Sequence, residues 1–205
     1  RKARKLGEAP KKKEATQVET PQAKWWPNFS HTTSWPAGAV VRIATDASSD
    51  TVFKGSMCFV AGNGDYRLRT RETTASTDEL ELEALTLALK YLLKIGATKA
   101  VIESDSVAAL DAINHILHKK GSKAARLGRR WRGVSSGARS RFQQAWNDLE
   151  GTCEVDIRRV LGHAGDPLNR AADQIAYMGL RAIAHPMKQT RPTLQSGINK
   201  ALQAV

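Results

Sequence analysis

Two apolar runs in the sequence each end in an aspartate, and this placement constrains the fold more than any other feature. Residues 40–44 are followed by Thr45 and Asp46, and the run KAVIESD ends at Asp105. Ionised carboxylates are costly to bury unless they are paired or bind a metal ion. In open α/β sheets the carboxyl ends of neighbouring parallel strands meet, which would bring both aspartates together. A divalent-metal site is one interpretation, and two ordinary turn-forming aspartates are the other.

The order of the predicted strands and helices is typical of an α/β protein. Strand-like patterns occur at residues 40–45, 52–61, 66–72, 99–105 and 155–161. The turn GNGD joins the second and third of these as a hairpin. Helical segments separate the later strands, and strand–helix–strand crossovers place parallel strands in the centre of a sheet. We therefore predict an α/β fold with a five-stranded mixed sheet flanked by helices.

The first predicted helix separates one glutamate from its neighbours. It begins at Ser76, whose spacing from Glu79 predicts a capping box, and it ends at Gly96. In helical phase Glu81 shares a face with apolar side chains, namely Leu85, Ala88 and Leu92. Polar side chains fall on the face expected to be in solvent, namely Glu79, Glu83, Thr86, Lys90 and Lys94. Glu81 is therefore expected to point at the sheet, where a buried carboxylate without a nearby cation favours a metal ion.

The last predicted helix follows a glycine-flanked histidine, His163, in the stretch GHAGDPLNRAADQIA. Asp166 and the proline after it are a good cap and first-turn pair. Asn169 and Asp173 are four residues apart and share one face of that helix. The spacing does not match His/Glu zinc signatures, so a zinc site is not expected.

In these stretches the sequence resembles the type I ribonuclease H family, which includes the ribonuclease H domains of reverse transcriptases. The resemblance covers roughly residues 40–184 and is carried by TDAS, ELEALTLAL, SDS and GHAGDPLNRAADQIA, in the family's order. It implies a ribonuclease H-like fold. It also implies four metal-linked carboxylates and a loop histidine that moves protons or helps to release product: Asp46, Glu81, Asp105, Asp173 and His163.

The implied reaction is endonucleolytic hydrolysis of the RNA strand of RNA–DNA hybrids. In such sites two metal ions ~3.5–4 Å apart generate hydroxide and stabilise the leaving 3′ oxygen. Oxygen ligands select Mg²⁺, for which Mn²⁺ can substitute. The resemblance implies that Asp46 bridges both ions, with Glu81 and Asp105 on one and Asp173 on the other.

A basic stretch without acids, HKKGSKAARLGRRWRGVSSGARSR, occupies the position of the family's substrate-holding protrusion. The expected nucleic-acid contacts come from this stretch and from the last helix: Lys119, Lys120, Lys123, Arg126, Arg129, Arg130, Trp131, Arg132 and Asn169. A solvated basic loop is the alternative. The formal net charge of +12 agrees with a polyanionic partner.

The catalytic domain is expected at residues 40–184. Residues 1–24 are interpreted as a basic disordered arm or linker, residues 25–39 as a Trp/Pro-rich lead-in, and residues 185–205 as a peripheral C-terminal tail. A further domain before Arg1 is compatible with the sequence. We expect the catalytic domain to be monomeric. The two cysteines are isolated in the sequence, which predicts buried free thiols. The sequence shows no signal peptide and no membrane span, so we expect a cytoplasmic protein without a membrane partner.

Two alternatives to hybrid cleavage remain. An integrase- or resolvase-like nuclease would keep the fold and the metals and change the substrate. A catalytically silent nucleic-acid-binding module would have little use for four acids that face phosphate. The stretch GHAGDPLNRAADQIA favours ribonuclease H over the first alternative, and the intact acid set argues against the second.

Overall fold

The computed structural model describes residues 27–117, 133–161, 165–186 and 188–205. One sheet contains six strands in the order β1-β4-β3-β2-β5-β6. The strands are β1 (Asn28–His31), β2 (Val40–Ser49), β3 (Lys54–Ala61), β4 (Tyr66–Glu72), β5 (Lys99–Ser104) and β6 (Glu154–Arg159). β2 and β5 pair in parallel, as do β5 and β6, whereas the pairs among β1, β4, β3 and β2 are antiparallel. The mixed α/β sheet is confirmed, and the predicted count of five strands is too low by one.

The additional strand, β1, comes from the lead-in segment. Its sequence NFSH buries only Phe29, so it lacks the apolar alternation by which strands are recognised. The segment is extended because its backbone pairs with the edge of β4. Further along the lead-in, the indole N–H of Trp35 donates to the hydroxyl of Tyr91 at 2.5 Å, and that hydroxyl donates to Asp65 at 2.6 Å. The described part of the lead-in is therefore attached to the domain.

In the described ranges, five helices pack on the two faces of the sheet: α1 (Thr77–Ile95), α2 (Val107–Leu117), α3 (Ser136–Leu149), α4 (Pro167–Ala184) and α5 (Arg191–Leu202). α1, α2 and α3 bury one apolar core, and α4 and α5 bury a second core on the opposite face. None of these described helices is both long enough and apolar enough to cross a membrane.

Both ends of α1 are as expected, with one difference at the start. The Ser76 hydroxyl accepts from the backbone N–H of Glu79 at 3.2 Å, and Gly96 ends the helix in the left-handed region at φ 65°. The Glu79 carboxylate does not close the capping box, because it accepts from the backbone N–H of Ser135 instead. Ser135 is the N-cap of α3, so Glu79 joins the starts of the two helices.

The C-terminal segment differs from the expected peripheral tail. It forms α5, and three of its apolar side chains are buried against α4 and the sheet: Leu194, Ile198 and Ala201. These residues recur at intervals of three and four, so they form one apolar stripe of a short helix. The C-terminal segment therefore contributes to the second core through α5.

A close approach of α4 to the sheet fixes the depth of that helix. A Cβ atom at Gly179 would overlap Ser56 on β3 and Leu68 on β4. The second core also contains the thiol of Cys58, which donates to the backbone carbonyl of Ala172 at 3.3 Å. Burial raises the pKa of the Cys58 thiol, which keeps it neutral. The expectation of free thiols is confirmed for both cysteines, although Cys153 is only partly buried.

Candidate metal centre

Five acids line one cavity of about 320 Å³; four of them come from four different parts of the fold, and the fifth is Asp166, the N-cap of α4. Asp46 lies on β2, Glu81 on α1 and Asp173 on α4, and Asp105 directly follows β5. These are the four carboxylates that the sequence resemblance selected. The structure therefore brings together residues that are up to 127 positions apart in the chain.

The strand register shows how β2 presents Asp46. The parallel pairing with β5 reaches its last pair at Ala44 and Glu103, whereas β2 continues to Ser49 by pairing with β3. The sequence suggested that Asp46 stands at the tip of a strand. In the structure it lies within β2. Because it stands beyond the parallel ladder, its side chain can meet Asp105, which follows the end of β5.

Three of the acids form a compact cluster. Carboxylate oxygens of Asp46, Glu81 and Asp105 lie within 4.8 Å of one another. Asp173 lines the same cavity from α4, and its negative charge acts on Asp46. The arrangement is a group of three carboxylates with a fourth beside it.

The electrostatic consequence is a strong resistance of the site to full ionisation. Burial, together with the charges of Asp173 and Asp105, raises the pKa of Asp46 from 3.8 to about 8. Burial also raises the pKa of Glu81 well above its ordinary value, together with the charges of Asp46 and Asp105. Carboxylates that are buried side by side ionise readily only when a cation lies between them.

The hydrogen bonds of Glu81 leave one of its oxygens for a ligand. Its Oε1 atom accepts from the backbone N–H of Ala47 at 3.1 Å, which fixes the carboxylate against β2. Its Oε2 atom is buried and has no hydrogen-bond partner among the described residues. An orphaned buried oxygen in a cluster of carboxylates fits Mg²⁺ or Mn²⁺, which prefer oxygen ligands.

The neighbouring glutamate, Glu83, is not in solvent as its helical phase suggested. It is 7% exposed and forms ion pairs with Arg71 of β4 and Arg141 of α3. Thr86 is also buried, and its hydroxyl donates to the backbone carbonyl of Leu82. Both expectations were wrong because α3 packs over this side of α1, which a single helix pattern does not show.

The start of α4 contributes polar groups to the opposite wall of the cavity. Asp166 caps the helix by accepting from the backbone N–H groups of Leu168 and Asn169, at 2.9 and 3.1 Å. Asn169, one of the expected nucleic-acid contacts, is buried and lines the cavity beside Asp173. The exposed Arg170 also lines the cavity and is the nearest described cation on this helix.

Sequence reasoning missed Arg170 and the ion-pair group that holds this wall. Arg42 of β2 pairs with Glu103 of β5 and with Asp166 at the start of α4. Arg42 lies four residues before Asp46, so both side chains point to the α4 face of the strand. That alternation was a usable signal, but the charge partners of Arg42 are distant in sequence.

Several expected site residues lie outside the described residues. They are His163 and the basic-segment residues Lys119, Lys120, Lys123, Arg126, Arg129, Arg130, Trp131 and Arg132. Their roles therefore stay predictions from the sequence.

Comparison with known proteins gives a family for this arrangement. The RNase H family model matches residues 38–181, a span that contains all four acids. The structure is similar to the N-terminal RNase H domain of a Mycobacterium tuberculosis protein, solved as a fusion with maltose-binding protein. That similarity has a TM-score of 0.52 and 17% identity, and it covers 72% of this chain and 97% of the other. No curated protein sequence matches the chain. Because the family model spans well over half of the sequence, the chain belongs to the RNase H family.

Proposed function

We propose that this protein is a metal-dependent endonuclease that hydrolyses the RNA strand of RNA–DNA hybrids. The observation that carries the proposal is the convergence of Asp46, Glu81 and Asp105, with Asp173 beside them, in one cavity of an RNase H-family chain. Divalent ions bound there would activate water for attack on a phosphodiester and stabilise the charge on the leaving 3′ oxygen.

Each carboxylate has a distinct position in this proposal. Asp46 is central, since the charges of both Asp105 and Asp173 act on it, and it would contribute to both ion positions. Glu81 is held in place by the backbone N–H of Ala47 and offers its free Oε2 atom. Asp105 completes the compact cluster, and Asp173 approaches from the opposite wall.

The raised pKa of Asp46 links metal binding to proton release. Without metal, this carboxyl holds a proton near neutral pH, because its pKa is about 8. Ligation requires the ionised carboxylate, so binding of a divalent ion would release that proton to solvent. A nuclease of this design is expected to lose metal affinity as pH falls.

Substrate binding would use the rim of the cavity. Asn169 can exchange hydrogen bonds with sugar or phosphate, and the exposed Arg170 can pair with a phosphate. His163 is proposed, from the resemblance alone, to move protons or to assist the release of product. The basic segment around Arg129, Arg130 and Arg132 is proposed to hold the duplex through phosphate contacts.

A substrate panel tests the proposal and separates it from its alternatives. The protein is incubated with end-labelled RNA–DNA hybrid, double-stranded RNA and duplex DNA, each with Mg²⁺ and with EDTA. We expect cleavage of the RNA strand of the hybrid with Mg²⁺ only. Cleavage of duplex DNA would support the integrase- or resolvase-like alternative. Tight binding without cleavage of any substrate would support the silent binding module.

A further inference from the structure

A row of three arginines on β4 lies outside the cavity and has no role in the chemistry proposed above. Arg67, Arg69 and Arg71 occupy alternate positions of the strand, so all three point to one face of the sheet. We call these three residues the arginine strip. Alternate residues of a strand are separated by roughly 7 Å, which is close to the separation of successive phosphates along a nucleic-acid strand.

The strip lies beside α1 and not beneath it. Its neighbours across the sheet on β3 are Phe59 for Arg67 and Met57 for Arg69, and both belong to the core that α1 covers. The next strand outward, β1, places Ser30 beside Arg67 and Asn28 beside Arg69, and both of these polar residues are exposed. The edge of this sheet face is therefore open and polar in the described part of the chain.

Within the described ranges, the positive charge of the strip is only partly balanced. Arg71 pairs with Glu83 at 2.9 Å, but the same carboxylate also pairs with Arg141. The buried Nε atoms of Arg67 and Arg71 have no hydrogen-bond partner among the described residues. Burial and the charge of Arg69 lower the pKa of Arg67. Among the described residues, the strip therefore keeps donors for a further anion whose several oxygens accept hydrogen bonds.

The chemistry around the strip favours phosphate over an acidic protein surface. Guanidinium groups bind phosphate through paired hydrogen bonds, and the exposed Asn28 and Ser30 can add bonds to phosphate or sugar. Protein interfaces are usually centred on buried aromatic or aliphatic anchors. The strip has none, because its apolar neighbours Met57 and Phe59 are already buried in the core.

The position of the strip indicates a single strand and not a second length of duplex. Asp46 and Asp173 lie on the α4 side of the sheet, whereas the strip lies on the α1 side. A duplex is stiff over distances much longer than this domain, so a duplex seated on the cavity cannot bend to follow β4. A single strand can bend in this way. We infer that the arginine strip binds the phosphate backbone of a single-stranded extension that leaves the hybrid held at the carboxylate site.

This inference rests on the proposed function, since it takes the hybrid as the molecule at the cavity. Binding is measured in the Asp46→Asn background, with Mg²⁺, so that no substrate is cut. The two probes are a short blunt RNA–DNA hybrid and the same hybrid with a single-stranded DNA extension, on either end in turn. The strip variant is Arg67→Gln/Arg69→Gln, which keeps the ion pair between Arg71 and Glu83.

The matched control removes the same charge elsewhere. Lys188→Gln/Lys200→Gln neutralises two exposed lysines that accompany α5, on the opposite side of the sheet. A second variant, Arg67→Lys/Arg69→Lys, restores the charge without the planar guanidinium. Far-ultraviolet circular dichroism and melting temperature establish that each variant is folded.

The readout is the dependence of affinity on salt. Each phosphate contact to a single strand contributes about 0.7 to the slope of log affinity against log salt, so the strip variant should lose about 1.4 for the extended probe. The strip variant should keep its slope for the blunt probe, and the Lys188→Gln/Lys200→Gln control should keep its slope for both probes. The Arg67→Lys/Arg69→Lys variant should recover most of the lost slope for the extended probe. An equal loss for blunt and extended probes would overturn the inference, as would an unchanged slope for both.

Two further results are informative. Loss of binding to an acidic peptide, with no change for either nucleic acid, would make the strip a protein-binding surface and overturn the inference. If the strip variant loses salt slope for the extended probe only, while the protein with Asp46 intact cleaves no hybrid, the proposed function fails and the assignment of the strip stands. The two failures are therefore distinguishable.

Discussion

Replacing Asp46 by asparagine should make the metal-free protein more stable at high pH while it abolishes cleavage. The pKa of Asp46 in the folded protein is about 8, against an ordinary value of 3.8, because the carboxyl is buried beside Asp173 and Asp105. The folded state therefore holds a proton that the unfolded state has already lost. Between about pH 4 and pH 8, stability falls as pH rises, since the folded state binds more protons than the unfolded state.

The magnitude follows from the difference between the two pKa values. Each unit is equivalent to about 1.4 kcal/mol, so the full window of about four units gives an upper limit of about 6 kcal/mol. Neighbouring acids can take up protons as Asp46 ionises, which spreads the cost over the cluster. We therefore expect the free energy of unfolding of Asp46→Asn to exceed that of the parent by about 2–4 kcal/mol near pH 8, and by much less near pH 4.

Urea denaturation in EDTA, followed by tryptophan fluorescence at several pH values, measures this difference directly. Asp148→Asn is a suitable control, because Asp148 is an exposed acid on α3, away from the cavity. Mg²⁺ should raise the stability of the parent at high pH and have little effect on Asp46→Asn. If the two proteins showed the same pH dependence in EDTA, the strained carboxylate cluster described above would be wrong.

Three further predictions address the metal, the glutamates and the basic segment. Mg²⁺ or Mn²⁺ should raise the melting temperature of the parent and support cleavage, whereas full activity in EDTA would refute metal dependence. Glu81→Gln should lose nearly all cleavage and fold normally. Glu83→Gln should still cleave but lose about 1–3 kcal/mol of stability, because two arginines lose their charged partner. An inactive Glu83→Gln with an active Glu81→Gln would contradict the assignment of Glu81 as the residue of α1 that faces the cavity. Neutralising Arg129, Arg130 and Arg132 should reduce the salt slope of hybrid binding by about 0.9 for each lost phosphate contact, and an unchanged slope would make the segment a solvated loop.

The sequence was most informative where a local pattern determines the environment of a residue. The helix phase of α1 placed Glu81 toward the sheet, because this period acts over short distances. The parallel crossover from β2 to β5 placed Asp46 and Asp105 near the same edge of the sheet, although Asp46 lies within β2 and not at its tip. The same helix phase failed for Glu83, whose burial depends on α3 and β4, which are remote in sequence. A pattern in one helix cannot show which second helix covers its outer face.

The missed elements have the same origin. β1 is extended because β4 offers a free edge, and its four residues carry little strand preference of their own. The ion-pair group of Arg42, Glu103 and Asp166 joins three elements that carry the site, but no spacing in the sequence links these residues. Contacts of this kind follow from the topology, so they become visible only when the strands and helices are assembled.

The chemistry of the product ends distinguishes metal-assisted attack by water from attack by the RNA's own 2′-hydroxyl. If the carboxylates of Asp46, Glu81, Asp105 and Asp173 serve metal-assisted attack by water, the leaving group is the 3′ oxygen of the RNA. Mass spectrometry of RNA fragments from a cleaved hybrid should then find 3′-hydroxyl and 5′-phosphate ends, formed only with divalent metal. Fragments that end in a 2′,3′-cyclic phosphate would show attack by the internal 2′-hydroxyl, and 3′-hydroxyl and 5′-phosphate ends formed in EDTA would show hydrolysis without metal. Either result would contradict this account.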